Sequence, residues 1–289
     1  MRLARDRALL IATDIDGTLL DHDAQLPFRA DVWRHEIQRL GSRMAGCRVA
    51  FASSRTLDEL LVLQRALGVQ GPCIAEDGAV LARDADDTTD LHPALPPHDD
   101  VRAYGRRTMR IWTRAQHASA LRTAMQEMDA VQRADASQLD RKSLSALGFG
   151  TNGAIRRALY ARHHSLLLDP SRLSGDERQI ILTIAAARGL QLRRGGRWLT
   201  LADTKGKGTA LSLLRHFEIS CGVSPIVVTI GNEENDVSLL EKADLAFVIR
   251  NPGRGPHPAL TAIPHAVVLD TEGPGGWLEM LNRLQVLVR

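Results

Sequence analysis

A five-residue apolar run, Ala8 to Ala12, leads almost directly into the string Asp14-Ile15-Asp16-Gly17-Thr18. A short apolar run bounded by turn residues is typical of a buried strand, and the glycine after the two carboxylates predicts a tight turn just beyond the strand. In open α/β sheets, ligands bind outside the carboxyl ends of the strands. The sequence therefore predicts an α/β fold with a polar site at one edge of its sheet.

The two carboxylates of this string, Asp14 and Asp16, point in opposite directions if the strand continues through them. One can then face a phosphorus atom as nucleophile while the other reaches a leaving-group oxygen after the turn. A carboxylate nucleophile that forms an aspartyl-phosphate is established chemistry, and two nearby carboxylates also suit Mg²⁺. The alternative is an ordinary polar turn.

A second apolar run, which begins at Val49, ends in the string Ser53-Ser54-Arg55-Thr56, and a helical pattern follows from Leu57. Hydroxyls and backbone N–H groups at a strand-to-helix turn form a cradle for phosphate. Ser53 is the expected phosphate ligand, with Ser54 and Arg55 beside it. Alternatively, one of the serines only caps the helix.

Two further segments carry polar residues that suit the same site. The string Lys205-Gly206-Lys207-Gly208 opens a helix, and either lysine can neutralise a transferring phosphoryl group; the alternative is a solvated turn. The strongest β-branched run, Ile226 to Ile230, predicts a central parallel strand. Its polar end, residues 231–236, can complete a metal site with the two aspartates, or can cap a helix.

In this order, the four segments resemble the four motifs of the haloacid dehalogenase (HAD) superfamily of phosphohydrolases, in the group with a large inserted cap. The resemblance implies a nucleophile at Asp14, a general acid/base at Asp16 and the motif lysine at Lys207. It also implies that Mg²⁺ is bound and that the metal ligands are Asp14, Asp16, Asn232 and Asp236. Asn232 stands where the superfamily has an acidic residue, which removes one negative charge.

A closer resemblance, to the mannosyl-3-phosphoglycerate phosphatases, is carried by segments outside these motifs. The segments are Ser53-Ser54-Arg55-Thr56, Glu76-Asp77-Gly78-Ala79, residues 158–165, Gly195-Gly196-Arg197-Trp198 and Gly273-Pro274-Gly275-Gly276-Trp277. This resemblance implies that two arginines lie near a substrate carboxylate or sugar. The predicted substrate-binding residues are Thr18, Ser53, Ser54, Arg55, Arg162 and Arg197.

The chain of 289 residues is long enough for two domains. Residues 1–83 and 202–289 are predicted to form a Rossmann-like catalytic core with a parallel sheet. Residues 84–201 have a different texture, with helical stretches around 118–129 and 176–188, and are predicted to form an inserted α+β cap that determines substrate specificity.

Composition indicates a globular protein, with 44% hydrophobic and 25% charged residues. The net charge is +3, and residues 84–201 contain many arginines. Because aromatic residues are only 4%, these arginines suit a doubly anionic small substrate better than nucleic acid. Alternatively, most of them only form a solvated surface. No apolar run approaches the ~20 residues that span a membrane, and no signal sequence is recognisable, so a cytoplasmic protein is expected. Three widely spaced cysteines form no zinc pattern.

The predicted function is a Mg²⁺-dependent phosphomonoesterase that acts on a small sugar phosphate through an aspartyl-phosphate. Mannosyl-3-phosphoglycerate or glucosyl-3-phosphoglycerate is the expected substrate. Two alternatives remain open. A sugar-phosphate phosphomutase would use the same intermediate, and a weakly active sugar-phosphate-binding module would follow from the missing charge at Asn232.

Overall fold

The computed structural model describes residues 3–21, 25, 26, 29–85, 97–146, 151–195, 198–203 and 205–288. Its strands are β1 (Leu9–Thr13), β2 (Cys47–Ala52), β3 (Cys73–Ala75), β4 (Val80–Asp84), β5 (Asp100–Tyr104), β6 (Arg107–Thr113), β7 (Leu166–Leu168), β8 (Gln191–Gly195), β9 (Trp198–Ala202), β10 (Ile226–Gly231), β11 (Leu245–Arg250) and β12 (Ala266–Glu272). Its α-helices are α1 (Ala30–Gly41), α2 (Leu57–Leu67), α3 (Ala118–Ala124), α4 (Asp129–Ala134), α5 (Arg141–Ala146), α6 (Asn152–Ile155), α7 (Gly175–Ala187), α8 (Lys207–Ser220), α9 (Val237–Leu240), α10 (Pro258–Thr261) and α11 (Gly275–Leu287).

Within these ranges, nine strands form one sheet in the order β12-β11-β10-β1-β2-β3-β4-β6-β5. Strands β12 to β3 of this order run parallel, whereas β4, β6 and β5 pair antiparallel at the other end. The chain is an α/β protein with a large, mainly parallel sheet, so the predicted fold class is confirmed. Strand β1 lies between β2 and β10, where the direction of strand addition reverses, and ligands of such sheets bind at this switch point.

Both faces of the parallel strands are covered by helices, which explains their continuous apolar runs. In β1, Leu9 and Ile11 pack on one face, against side chains of α1, α2 and α11. Leu10 and Ala12 face the opposite side, where α8, α9 and α10 pack. All four β1 side chains are at most 1% exposed.

Helix α2 starts and stops where its sequence dictates. Thr56 accepts a hydrogen bond from the backbone N–H of Glu59, whose side chain in turn accepts from the N–H of Thr56, so the two form a capping box. Gly68 ends the helix in the left-handed conformation with a φ of 64°. The N-cap fixes the turn that precedes α2, which carries Ser53, Ser54 and Arg55.

A second sheet, in the order β7-β9-β8, belongs to what we call the small-sheet unit, residues 118–146, 151–195 and 198–202. Leu121, Leu168, Ile181 and Leu201 are among the buried side chains of its own hydrophobic cluster. The predicted cap boundaries stay a prediction. Strands β5 and β6, which fall inside the predicted cap, are hydrogen-bonded to the large sheet. In the described segments, no helix is long and apolar enough to cross a membrane.

Two tryptophans tie the C-terminal helix α11 to the large sheet. Trp277 and Trp33 are completely buried, with ring centroids 5.4 Å apart in an edge-to-face arrangement. Trp277 Nε1 donates a hydrogen bond of 2.8 Å to Thr13 Oγ1. Across the described part of the chain, no acceptor is found for Trp33 Nε1.

This difference predicts unequal costs for the same substitution. Trp277→Phe should lower the free energy of unfolding by about 1 kcal/mol more than Trp33→Phe, because only the first removes a satisfied hydrogen bond. Urea unfolding of the two variants measures the difference. Equal losses of unfolding free energy, or a larger loss for Trp33→Phe, would contradict a stabilising hydrogen bond between Trp277 and Thr13.

Candidate active site

The predicted nucleophile and the predicted lysine meet at the carboxyl end of β1. The Asp14 N–H donates to the carbonyl of Ile230 at 3.0 Å, so the pairing of β1 with β10 extends to Asp14. Lys207 Nζ donates to Asp14 Oδ1 at 2.6 Å and to Asp236 Oδ1 at 2.7 Å. Lys207 and Asp236 are 0% exposed and Asp14 is 5% exposed, so three charges share one buried cluster.

Between the two candidate lysines, the structure brings Lys207 to the cluster and leaves Lys205 exposed. Helix α8 begins at Lys207, close to its neighbours. A Cβ added at Gly78 would lie 2.4 Å from the carbonyl oxygen of Gly206, and one added at Gly208 would lie 1.8 Å from that of Ser238. Glycine at these two positions therefore lets the lysine-bearing turn approach both neighbouring segments.

Burial and neighbouring charges set the ionisation of this cluster. Burial and, after it, the charge of Asp236 raise the pKa of Asp14 to about 7, although the Lys207 ammonium opposes both. Burial alone would lower the pKa of Lys207, but the charges of Asp14 and Asp236 outweigh it and hold that pKa above its usual range. Lys207 is therefore a fixed positive charge, and Asp14 titrates near neutral pH.

The second carboxylate of the first motif, Asp16, is paired with Arg55. The guanidinium donates to Asp16 Oδ2 from Nε at 3.0 Å and to Asp16 Oδ1 from Nη2 at 2.6 Å. The two side chains are 39% and 24% exposed, so this fork-shaped ion pair lies at the open side of the site. Although burial opposes its charge, Asp16 holds the pKa of Arg55 above its usual range.

Backbone and side-chain hydrogen bonds form a network at the end of β10. The second oxygen of Asp236 accepts from the N–H groups of Asn232 and Glu233 at 3.0 and 3.1 Å. Asn232 Oδ1 accepts from Thr18 Oγ1 at 3.0 Å, and Asn232 Nδ2 donates to Asn251 Oδ1 at 2.8 Å. Asp236 thus positions both Lys207 and the turn, while Asn232 connects β10 to the first motif.

The oxygen atoms of this cleft suit a hard cation in type, but many of them already accept hydrogen bonds from protein groups. Both carboxylate oxygens of Asp236 and of Asp16 already accept hydrogen bonds from protein groups. Asp14 Oδ1 accepts from Lys207 and Asn232 Oδ1 accepts from Thr18, and carboxylate and amide oxygens are of the kind that Mg²⁺ prefers. Over the described ranges, no three His, Cys, Asp or Glu side chains are arranged to hold a metal ion.

The predicted substrate-binding residues are divided between the cleft and the small-sheet unit. Ser53 is 1% exposed at the end of β2, and its hydroxyl oxygen accepts from the N–H of Arg55 at 3.2 Å. Arg162 is 8% exposed and donates to the carbonyls of Ala158 and Ser54 at 3.0 Å and to Ser165 Oγ at 2.9 Å. Its role in binding substrate stays a prediction. Arg197 lies outside the described residues.

Sequence reasoning did not place Glu76 and Asp77 in the site, although their segment carried the closer family resemblance. Both residues have a left-handed backbone, with φ values of 48° and 55°, and both are buried. Such a conformation in a residue other than glycine costs about 1–3 kcal/mol and marks a position that its surroundings fix. Asp77 Oδ1 accepts from Asn235 Nδ2 at 3.1 Å, directly beside the Asp236 turn.

Comparison with known proteins agrees with the fold. Residues 11–101 match the family of haloacid dehalogenase-like hydrolases. Over nearly all of its length, the chain has the fold of solved haloacid dehalogenase-like hydrolases. A structure from Thermoplasma acidophilum aligns with a TM-score of 0.66 at 16% identity and covers 97% of this chain and 99% of its own.

Two further solved structures have the same fold. A haloacid dehalogenase-like hydrolase from Bacteroides thetaiotaomicron aligns with a TM-score of 0.60 at 16% identity, over 96% of this chain and 100% of its own. The sucrose-phosphatase of Synechocystis, solved with sucrose and phosphate, aligns with a TM-score of 0.54 at 16% identity, over 96% of this chain and 98% of its own.

The raised pKa of Asp14 predicts how stability depends on pH. Between the ordinary pKa of 3.8 and about 7, the folded protein holds a proton on Asp14 that the unfolded chain has lost. The contribution of Asp14 to stability is therefore lost as the pH rises through this window. From pH 5 to pH 8, metal-free wild-type protein should lose about 2–3 kcal/mol that Asp14→Asn does not lose.

Urea unfolding of both proteins at pH 5 and pH 8, with EDTA present, measures this difference. An exposed carboxylate, Asp176, gives the matched control Asp176→Asn. At both pH values, the free energy of unfolding of this control should match that of the wild type. Parallel pH dependence of wild type and Asp14→Asn would show that the pKa of Asp14 is not raised.

Proposed function

We propose that this protein is a phosphomonoesterase that acts through an aspartyl-phosphate at Asp14. The observation that carries the proposal is the buried Lys207 ammonium, which is shared between Asp14 and Asp236 at the carboxyl end of a central strand. A carboxylate held beside a fixed cation at this position can attack a phosphorus atom while the cation stabilises the phosphoryl oxygens. Phosphoryl transfer depends mainly on such positioning and electrostatic stabilisation.

In the first step, Asp14 attacks phosphorus, the bond from phosphorus to the ester oxygen breaks, and Asp16 gives a proton to the departing oxygen. In the second step, Asp16 takes a proton from water, whose oxygen attacks phosphorus and releases Asp14 and inorganic phosphate. Lys207 and Ser53 hold the phosphoryl oxygens during both steps. Asp14 is the nucleophile because Lys207 contacts it directly, whereas Asp16 lies on the open side.

The ion pair of Asp16 with Arg55 favours a substrate whose leaving group is anionic. While Arg55 donates to both carboxylate oxygens of Asp16, neither oxygen is available to carry a proton to the leaving group. A carboxylate on the leaving group can take over the guanidinium fork and free Asp16 to carry a proton. This exchange supports a glycosyl-3-phosphoglycerate, with mannosyl-3-phosphoglycerate as first choice. The similarity in fold to a sucrose-phosphatase is consistent with a sugar phosphate.

Mg²⁺ is the proposed cofactor, and Asp14 and Asn232 are the side chains that would hold it. When bound, the ion would neutralise charge on the phosphoryl oxygens. Asp236 would act indirectly because its oxygens already orient Lys207 and the backbone of the β10 turn.

The first test measures phosphate release from a panel of sugar phosphates that includes mannosyl- and glucosyl-3-phosphoglycerate, with Mg²⁺ present. Wild-type protein should release phosphate selectively from a glycosyl-phosphoglycerate. Asp14→Asn should be inactive, because an amide does not attack phosphorus as a carboxylate does. The exposed-site variant Asp176→Asn should keep full activity.

Weak release of phosphate from many other sugar phosphates would agree with a phosphatase, but would contradict a glycosyl-phosphoglycerate as its substrate. Release that persists in Asp14→Asn would overturn the mechanism. No release above the Asp14→Asn blank would favour a binding module, and isomerisation of a sugar phosphate without net phosphate release would favour a phosphomutase.

The second test concerns the missing charge at Asn232. Asn232→Asp should raise Mg²⁺ affinity about tenfold, because a carboxylate replaces an amide oxygen next to Asp14. Isothermal titration calorimetry with Mg²⁺ measures this change. Asn251→Asp is the matched control, because it adds the same charge one side chain further away. Equal gains in the two variants would contradict a direct role for residue 232.

A further inference from the structure

The turn Glu76–Gly78 between β3 and β4 contacts the cleft and the small-sheet unit at the same time. On the small-sheet side, Glu76 Oε1 accepts from the N–H of His163 at 3.1 Å, and Oε2 accepts from the N–H of His164 at 2.9 Å. The hydroxyl of Ser165 donates to the same Oε2 at 2.7 Å. Two successive N–H groups and a hydroxyl thus surround a carboxylate that is only 2% exposed.

The guanidinium of Arg162 is linked to this contact by the hydroxyl of Ser165. Arg162 Nη1 donates to Ser165 Oγ at 2.9 Å, and the same nitrogen donates to the carbonyl of Ser54 at 3.0 Å in the cleft turn. The chain from Arg162 through Ser165 to Glu76 therefore begins and ends on opposite sides of the boundary. A buried carboxylate needs such partners, because an unpaired buried charge is strongly unfavourable.

On the cleft side, the backbone of the same turn is fixed by the Ser53 segment. The N–H of Glu76 donates to the carbonyl of Arg55 at 2.9 Å, and the N–H of Asp77 donates to that of Ser53 at 3.0 Å. Asp77 also holds Asn235 and raises the pKa of Lys207. The left-handed backbone of Glu76 points its carboxylate toward the small-sheet unit while the next residue faces the cleft.

We propose that Glu76 is a positioning residue that docks the small-sheet unit over the catalytic cleft. The docked unit places its side chains against the leaving group of the substrate. A substrate large enough to reach the unit gains affinity from this docking, and a small aryl phosphate gains none. The part of the proposal that concerns substrates rests on the proposed phosphatase function, whereas the docking contact itself does not.

The direct test is hydrogen exchange of the full-length protein without substrate. Glu76→Gln replaces one acceptor oxygen with an NH₂ group that faces N–H donors. Exchange in a peptide that covers residues 162–168 should become at least about tenfold faster, because hydrogen bonds to a charged acceptor are lost. A peptide over β10 should be unchanged. Glu177→Gln is the matched control, because that carboxylate also accepts a backbone N–H, but within the small-sheet unit.

Steady-state kinetics with mannosyl-3-phosphoglycerate and p-nitrophenyl phosphate test the consequence. Glu76→Gln should raise KM for the first about tenfold with little change in kcat, and should leave p-nitrophenyl phosphate hydrolysis within about twofold. Ser165→Ala should have the same effect, and the double variant should add little, since both act through one contact. Ser165→Cys, which keeps a donor at this position, should recover part of the affinity.

The results separate the two proposals. If the wild type hydrolyses neither probe, the phosphatase proposal fails and the exchange experiment still decides the docking contact. Unchanged exchange over residues 162–168 in Glu76→Gln overturns the docking proposal. Faster exchange with equal KM changes for both probes, or additive effects of the two substitutions, overturns the positioning role.

Discussion

The Lys207 ammonium, shared between Asp14 and Asp236, is the interaction on which the arrangement of the site depends. The three charged side chains come from the residue after β1, from the turn after β10 and from the start of α8. They meet because β1 and β10 are adjacent and parallel, so their carboxyl ends reach the same edge of the sheet. Removing one partner of such a buried group leaves an uncompensated charge and costs about 3–5 kcal/mol. The cluster thus favours the strand order in which β1 and β10 are neighbours.

The turn Glu76–Gly78 is a second place where distant parts of the chain meet, and its position follows from the order of the strands in the large sheet. After β3 the chain reverses into β4, so the large sheet changes there from parallel to antiparallel pairing. This reversal brings the turn against the Ser53 segment on one side and the start of α8 on the other. The chain then continues through β5 and β6 to the small-sheet unit. One short turn therefore joins two strands of the large sheet and also contacts the small-sheet unit.

The sequence predicted the parallel strands well because burial on both faces leaves a continuous apolar run, as in β1 and β10. It missed β4, in which a fully buried Arg83 interrupts the run; this arginine pairs with Glu218 and lies over the Phe217 ring. It also missed β5, a short edge strand that is mostly exposed. The helical stretch at 118–129 is shorter in the structure, where α3 ends at Ala124. The hydrogen bond from Arg162 to the carbonyl of Ser54 joins residues distant in sequence, which no local pattern encodes.

Asn232 determines how much charge the cleft must accommodate. Lys207 faces Asp14 and Asp236, so the buried cluster carries one negative charge beyond neutrality when all three groups are ionised. An aspartate at 232 would add a second, and the pKa of Asp14, already about 7, would rise further in the absence of a cation. The amide of Asn232 is neutral and adds no such charge. It accepts a hydrogen bond from Thr18 and donates one to Asn251. With a neutral residue at 232, Asp14 can ionise near neutral pH, and the Mg²⁺ that we propose as cofactor would be attracted less strongly.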